Sequence, residues 1–180
     1  MKLKLDYIKI GIVVALVALA AWSRFVPHPA NFTALTAVAL LGGTILPKRW
    51  GVIVPVAAMV LSDIFIGVSS LSFVVWSSFA LVALLGIYLK SRLSAMNVVV
   101  ASLAGSTLFY LITNFAVWAE GRMYSLDLSG LVHCYVNALP FYRNMLAGDL
   151  VYSGVLFGAY ALVVYGVKSA RQRAAAISAH

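Results

Sequence analysis

Long apolar runs broken by brief polar stretches organise the whole chain. Six of them, at roughly 7–23, 32–47, 50–68, 71–89, 97–119 and 147–167, approach the length of a membrane helix, since about 20 apolar residues cross ~30 Å of hydrocarbon. The first run follows the basic stretch MKLKLDYIK and reads as a retained helix rather than a cleaved leader, because no clear cleavage site follows it. The second is short and carries Thr33, Thr36, Gly42, Gly43 and Thr44, so it is expected to be tilted, partly buried or broken. The stretch 131–146, LVHCYVNALPFYRNML, is too polar to span. It reads as an interfacial or re-entrant helix before the last span, interrupted or restarted at Pro140, which lacks the amide donor.

Composition agrees with this pattern. The chain has 180 residues, 63% hydrophobic and 10% charged, with a mean hydropathy of +1.00. A soluble domain is about half apolar and a quarter charged. The expected class is an all-α membrane protein, a single integral domain over residues 1–180. The net charge of +8 does not point to nucleic acid, because the basic residues sit in short clusters between apolar runs. One cysteine rules out a disulfide framework.

Charge predicts sidedness. With both termini cytoplasmic, the inner segments carry Lys2, Lys4, Lys9, Lys48, Arg49, Lys90, Arg92, Lys168, Arg171 and Arg173, ten of the thirteen basic residues. Only Arg24, Arg122 and Arg143 fall outside. That is the positive-inside pattern for an even number of spans, and it implies a multi-pass protein of a bacterial cytoplasmic (inner) membrane. Four acids, Asp63, Glu120, Asp127 and Asp149, fall in or toward the outer half. Polar chemistry therefore gathers on the outer face. Small residues, Gly154 and Gly158 in the sixth run and Gly11 and Ala15 in the first, are expected to pack helices within the bundle. Alternatively, one such stripe faces a partner.

The candidate site residues follow. Asp63 lies thirteen residues past Trp50, about 20 Å along a helix. An ionisable group at that depth suggests function or a structural pair with Arg24 or Arg143. Asp149 opens the sixth run, where negative charge is favourable at a helix N-terminus, as a cap or a ligand contact. Asn114 and Trp118 lie one turn apart near the outer end of the fifth run, and Trp118 also reads as an interfacial anchor. Trp76 lies early in the fourth run, near the same face. His133 and Cys134 raise a metal or nucleophile reading, although neighbours on a helix point about 100° apart. His133 and Asn137 share a face and could line a pocket mouth with Tyr135 or Tyr142. Arg143 and Asn144 could reach a ligand or lipid headgroups. In PHPAN, Pro27 and Pro29 stiffen a segment presenting His28 and Asn31, either a solvated turn or a preformed rim.

The stretches RFVPHPANFTALTAVALLGG, LSDIFIG, TNFAVW and CYVNALPFYRNMLAGDLVYSGVLFG resemble a family of small bacterial membrane proteins. That family is similar to the substrate-binding S components of energy-coupling-factor (ECF) vitamin transporters. The resemblance covers most of residues 24–160. It implies an S-component-like bundle of six helices that binds a vitamin, a vitamin precursor or a metal ion from outside. It also implies docking, through an AxxxA signature in the first helix, on a transmembrane subunit driven by ATPases. Here that helix reads GIVVALVALAA, with Gly11 and Ala15 in place of the signature, and a solitary transporter, including one for corrinoids, is the alternative.

The expected function is thus binding and uptake of a small organic nutrient. Loops 24–32 and 120–146 would lie over a pocket with polar contacts from Asp63, Asn114, Asn137, Arg143 and His133. Trp76, Trp118, Tyr124, Tyr135 and Phe141 would supply apolar area. No ATP-binding motif is present, so ATP use would come from a partner, and no resident cofactor or catalytic residue is expected. The alternatives are a membrane enzyme using Cys134 or His133, and a scaffold subunit that docks through the Gly154–Gly158 stripe.

Overall fold

The computed structural model is all-helical and describes residues 2–178, with the backbone alone at 2–10 and at 171, 174, 175, 177 and 178. The side chains of Lys2, Lys4, Lys9 and Arg171 lie outside the described set. The helices are α1 (Lys2–Phe25), α2 (Leu35–Ile45), α3 (Lys48–Ile66), α4 (Ser72–Leu89), α5 (Ala95–Ala119) and α6 (Leu128–Ser178).

The shortest helix is the centre of the molecule. A helix apolar all round has no face suited to water and is buried. Ten of the eleven residues of α2 are buried, and all five other helices touch it. Its contact with α4 is the closest in the bundle. Gly43 and Gly86 face each other's helices so tightly that a Cβ on either would overlap the opposite backbone. Thr44 Oγ1 donates to Gly86 O across this crossing at 3.0 Å. The helix ends at Leu46 because the following Pro47 pushes its predecessor to extended backbone, seen as ψ 163°.

Four helices, α3 to α6, are long and apolar enough to cross a membrane; α2 is a shorter apolar helix, and the part of α1 whose side chains are described, Gly11–Phe25, is apolar as well. Large apolar side chains face outward, among them Phe65, Phe73, Leu162 and Tyr165, each more than two-thirds exposed. Apolar cover of this extent suits lipid rather than water.

Three expectations change. First, residues 131–146 are not a separate interfacial helix. They are the opening part of α6, which runs unbroken through Pro140 for 51 residues, roughly 75 Å at 1.5 Å per residue. Proline removes one helical hydrogen bond, a loss that neighbouring helices can absorb in an apolar bundle. Here side chains on both flanks of Pro140 grip α5: Tyr135 Oη donates to Leu111 O, and Tyr142 Oη pairs with Thr107 Oγ1, each at 2.7 Å. Second, Asp149 is mid-helix and caps nothing. The N-terminus of α6 is capped by Asp127, whose Oδ1 accepts from Gly130 N at 2.6 Å. Third, Gly154 and Gly158 do not pack the bundle. They face open space, as does Gly11. They border a groove of about 670 Å³ between the Leu93 end of α5 and α6. The inward small residues are those of the α2 crossings instead.

Candidate functional site

At the opposite end of α5 and α6 the chain from Arg24 to Ala34 folds back over the bundle. Ser23 Oγ accepts from Ala34 N at 3.1 Å, and Phe32 N donates to Pro29 O at 3.0 Å. Asn31 takes a left-handed backbone, φ 65°, which asparagine tolerates better than most residues. Phe32 is seated where α6 has no side chain: a Cβ on Gly148 would meet the Phe32 Cα at 3.1 Å. The Phe32 ring lies 5.7 Å from that of Tyr152.

This loop covers two adjoining clefts that share Asn31, Phe109 and Met145. The larger, of about 340 Å³, has an apolar wall of Met59, Phe79, Phe109 and Met145 and a polar rim of Arg24, His28, Asn31 and Thr33. The smaller, of about 90 Å³, runs between α5 and α6, with Thr113 and Asn114 on one side and Phe141 and Tyr142 on the other. His28 Nδ1 sits 2.7 Å from Pro29 O. A carbonyl only accepts, so Nδ1 carries a hydrogen.

Behind the rim lies a closed polar cluster. Arg24 Nη1 is 2.6 Å from Asp63 Oδ1, and Trp76 Nε1 donates to Asp63 Oδ2 at 2.7 Å. Arg24 also donates to Ser62 Oγ and, at 3.3 Å, to Met59 O. Both oxygens of the buried carboxylate are therefore engaged. Of the two partners expected for Asp63, Arg24 is the one present. Asp63 contacts Arg24 at the rim and does not line the cleft.

The structure divides the other expected site residues. His28, Asn31 and Asn114 line the clefts. Cys134 and Tyr135 stand one layer back: Cys134 Sγ donates to Asn114 O at 3.3 Å, and the Tyr135 ring packs edge-on against Tyr110 at 5.4 Å. Trp118 pins the α5–α6 loop through Nε1 to Ser125 O, 3.0 Å. Tyr124 meets Asn137 at 3.4 Å on an exposed face. His133, Asn137 and Arg143 are exposed, Asn144 is half-buried, and none of the four lines either cleft. His133 is exposed while Cys134 is 2% exposed, so the pair is split between two faces, as the helical angle demands. Among the described residues no three His, Cys, Asp or Glu side chains gather as a metal site. At the mouth of the loop, Asp127 is held below its ordinary value by the Gly130 amide first and the Ser125 hydroxyl second.

Asp149 lies deepest. It is 1% exposed, and its Oδ2 is 2.6 Å from Ser106 Oγ. Thr36 Oγ1 stands beside the same carboxyl without closing a hydrogen bond. One turn along, Ser102 and Ser153 bond at 2.8 Å. Ser102, Ser106, Tyr110, Thr113 and Asn114 form one polar stripe on α5, a helical periodicity legible in the sequence that points to the clefts. Arg24, Phe109 and Met145, which form much of the rim and wall, carry no such signal.

An all-helical protein with four helices of membrane length and a polar-rimmed apolar cleft at one end is the class these features define. The chain belongs to DUF6580, a family of unknown function whose profile matches residues 5–174. No curated protein and no solved structure matches it.

Proposed function

We propose that this protein binds a small organic nutrient in the Asn31 cleft and serves its uptake across a bacterial inner membrane. The observation that carries the reading is the cleft itself: an apolar, sulfur- and aromatic-lined wall with a few fixed polar groups at its rim, the usual build of a small-molecule site. The basic residues Lys48, Arg49, Lys90, Arg92 and Lys168 favour the opposite end as cytoplasmic, which would open the cleft to the outside and leave both termini inside. The sequence resemblance to a family similar to ECF S components would suit such a site, with the energy supplied either by an ECF-type subunit and its ATPases or by a solitary mechanism. A volume of about 340 Å³ is near the small end for ligand pockets and favours a compact vitamin or precursor over a corrinoid. The enzyme reading gains no support, because the Cys134 thiol is buried against a backbone carbonyl and His133 points elsewhere.

Native mass spectrometry of detergent-purified protein, with released molecules identified, tests this. A stoichiometric small molecule that is lost in Phe109→Ala and retained in Cys134→Ser is expected. A protein that carries no small molecule but keeps a stoichiometric membrane partner would overturn the reading in favour of a scaffold subunit.

A further inference from the structure

We infer that Asp149 is a proton-binding site in the middle of the bundle, holding its proton on Oδ2 and donating it to Ser106 Oγ. Among the described residues α6 packs only against α2 and α5. Neither α2 nor α5 contains a charged residue, and the titratable group on them is Tyr110, stacked on Tyr142 at 4.4 Å. The loop over this region offers His28 and Arg24, both at the rim of the larger cleft, and Arg24 is paired with Asp63. On α6 itself Arg143 is exposed. Among the described residues Asp149 thus has no cation against it. A carboxylate buried to 1% without a countercharge is strongly disfavoured.

Hydrogen counting is compatible with the same answer. Ser106 owns one hydroxyl hydrogen and has two acceptors in reach, Ser102 O at 2.9 Å and Asp149 Oδ2 at 2.6 Å. A charged Asp149 would claim that hydrogen and leave the Ser102 contact without one. A neutral Asp149 donates to Ser106 Oγ, Ser106 donates to Ser102 O, and both short contacts are satisfied. The Thr36 hydroxyl beside the carboxyl is 1% exposed and has no hydrogen-bond partner.

The position gives the proton a use. Met145, one helical turn from Asp149, lines both clefts. Ser153, one turn the other way, bonds to Ser102, and both line the groove toward Lys168. Among the described residues Asp149 is therefore the carboxyl between the two openings. On release, the Oδ2–H bond breaks, its electron pair stays on the carboxylate, and the proton passes to a water entering beside Met145. The new charge must be hydrated, so proton loss is linked to parting α6 from α2 and α5. Within the transport reading, on which this last step alone rests, the proton is the signal that opens the cleft floor.

Infrared spectroscopy of the purified protein at neutral pH tests the site. The expected result is a protonated-carboxyl C=O band that shifts in heavy water, is absent in Asp149→Asn and moves to higher frequency in Ser106→Ala, where its acceptor is gone. No band dependent on Asp149 would overturn the inference. So would loss of the band on adding sodium at fixed pH, which would assign a metal-cation site. If Asp149→Asn does not fold, the Ser106→Ala shift decides: a band that does not move overturns the assignment. A band present in protein that binds no nutrient would keep the proton site and sink the transport reading instead.

Discussion

Two buried carboxyls in this bundle live in opposite surroundings. Asp63, on α3, has a guanidinium on one oxygen and an indole N–H on the other. Asp149, on α6, has hydroxyls and hydrocarbon. Both are almost wholly enclosed, at 4% and 1% exposure. Burial alone therefore does not decide what an acid is for. Asp63 is an ion-pair partner of Arg24 at the edge of the cleft. Asp149 has the surroundings of a neutral acid, able to change state. The same residue type is a strut in one place and a titratable element in the other, and the difference lies in whether a cation comes with it.

The sharpest way to break this comparison is to make the identical isosteric change at both sites. Asp63→Asn should leave the largely buried Arg24 without its counterion. Stranding one partner of a buried pair costs about 3–5 kcal/mol, a fall on the order of 10 °C in Tm for a chain of this size. Arg24→Ala should do the same from the other side, and the double variant Arg24→Ala, Asp63→Asn should recover part of the loss. Thermal unfolding in detergent measures all three. Additive losses would show that the pair is not coupled. Next in size is Trp76→Phe, which keeps the ring but removes a hydrogen bond to a charged group. A loss of about 1.5–3 kcal/mol is expected, again read by Tm, and an unchanged Tm would detach Trp76 from the cluster.

How much of this was visible beforehand follows from range. The middle helices were legible: the runs 50–68, 71–89 and 97–119 match α3, α4 and α5 within a few residues, because apolar length is a local property. The Arg24–Asp63 pair was also within reach, since a buried acid needs a cation and few were available. What the pattern hid depends on rotation and packing. The short run with Gly42 and Gly43 looks weak alone, yet those glycines let α4 and α3 close around it as the core. Pro140 reads locally as a break, but contacts from Tyr135 and Tyr142 to α5 carry the helix through it. Once α6 starts at Leu128 instead of near Ala147, Asp149 stops being a helix terminus and becomes a core residue. Reactive residue types misled in the same way: His133 and Cys134 are adjacent in sequence and face opposite surroundings.

At the second site the expected effects are small, and their smallness is the test. Asp149→Asn replaces a neutral acid by a neutral amide of the same shape, whose N–H donates to Ser106 in place of the O–H. Stability should change by less than about 1 kcal/mol. A Tm loss matching that of Asp63→Asn would mean that Asp149 carries its charge in the fold and that the contrast between the sites is false. Thr36→Val probes the same pocket from α2. It removes a buried hydroxyl that makes no hydrogen bond and should raise stability by about 1 kcal/mol or leave it unchanged. A clear loss would show that the hydroxyl is bonded to the carboxyl in the resting state.

The smallest effect belongs to a third carboxylate, outside the bundle, that shows what an acid does when water is at hand. Asp127 accepts from Gly130 N and Ser125 Oγ, and these donors hold it below its ordinary value of 3.8. The folded state thus favours the charged form. The sign is fixed by linkage: the contribution is present above the unfolded value and is lost as pH falls through the lower, folded one. Asparagine caps a helix about as well as aspartate, so Asp127→Asn isolates the charge from the cap. The difference in Tm between wild type and this variant should be slight at neutral pH, favour the wild type, and vanish on strong acidification. A difference that stays constant into acid would mean the charge contributes nothing. Asp149→Asn should show no such acid-dependent loss, because a site that already holds its proton has none to gain as the pH falls.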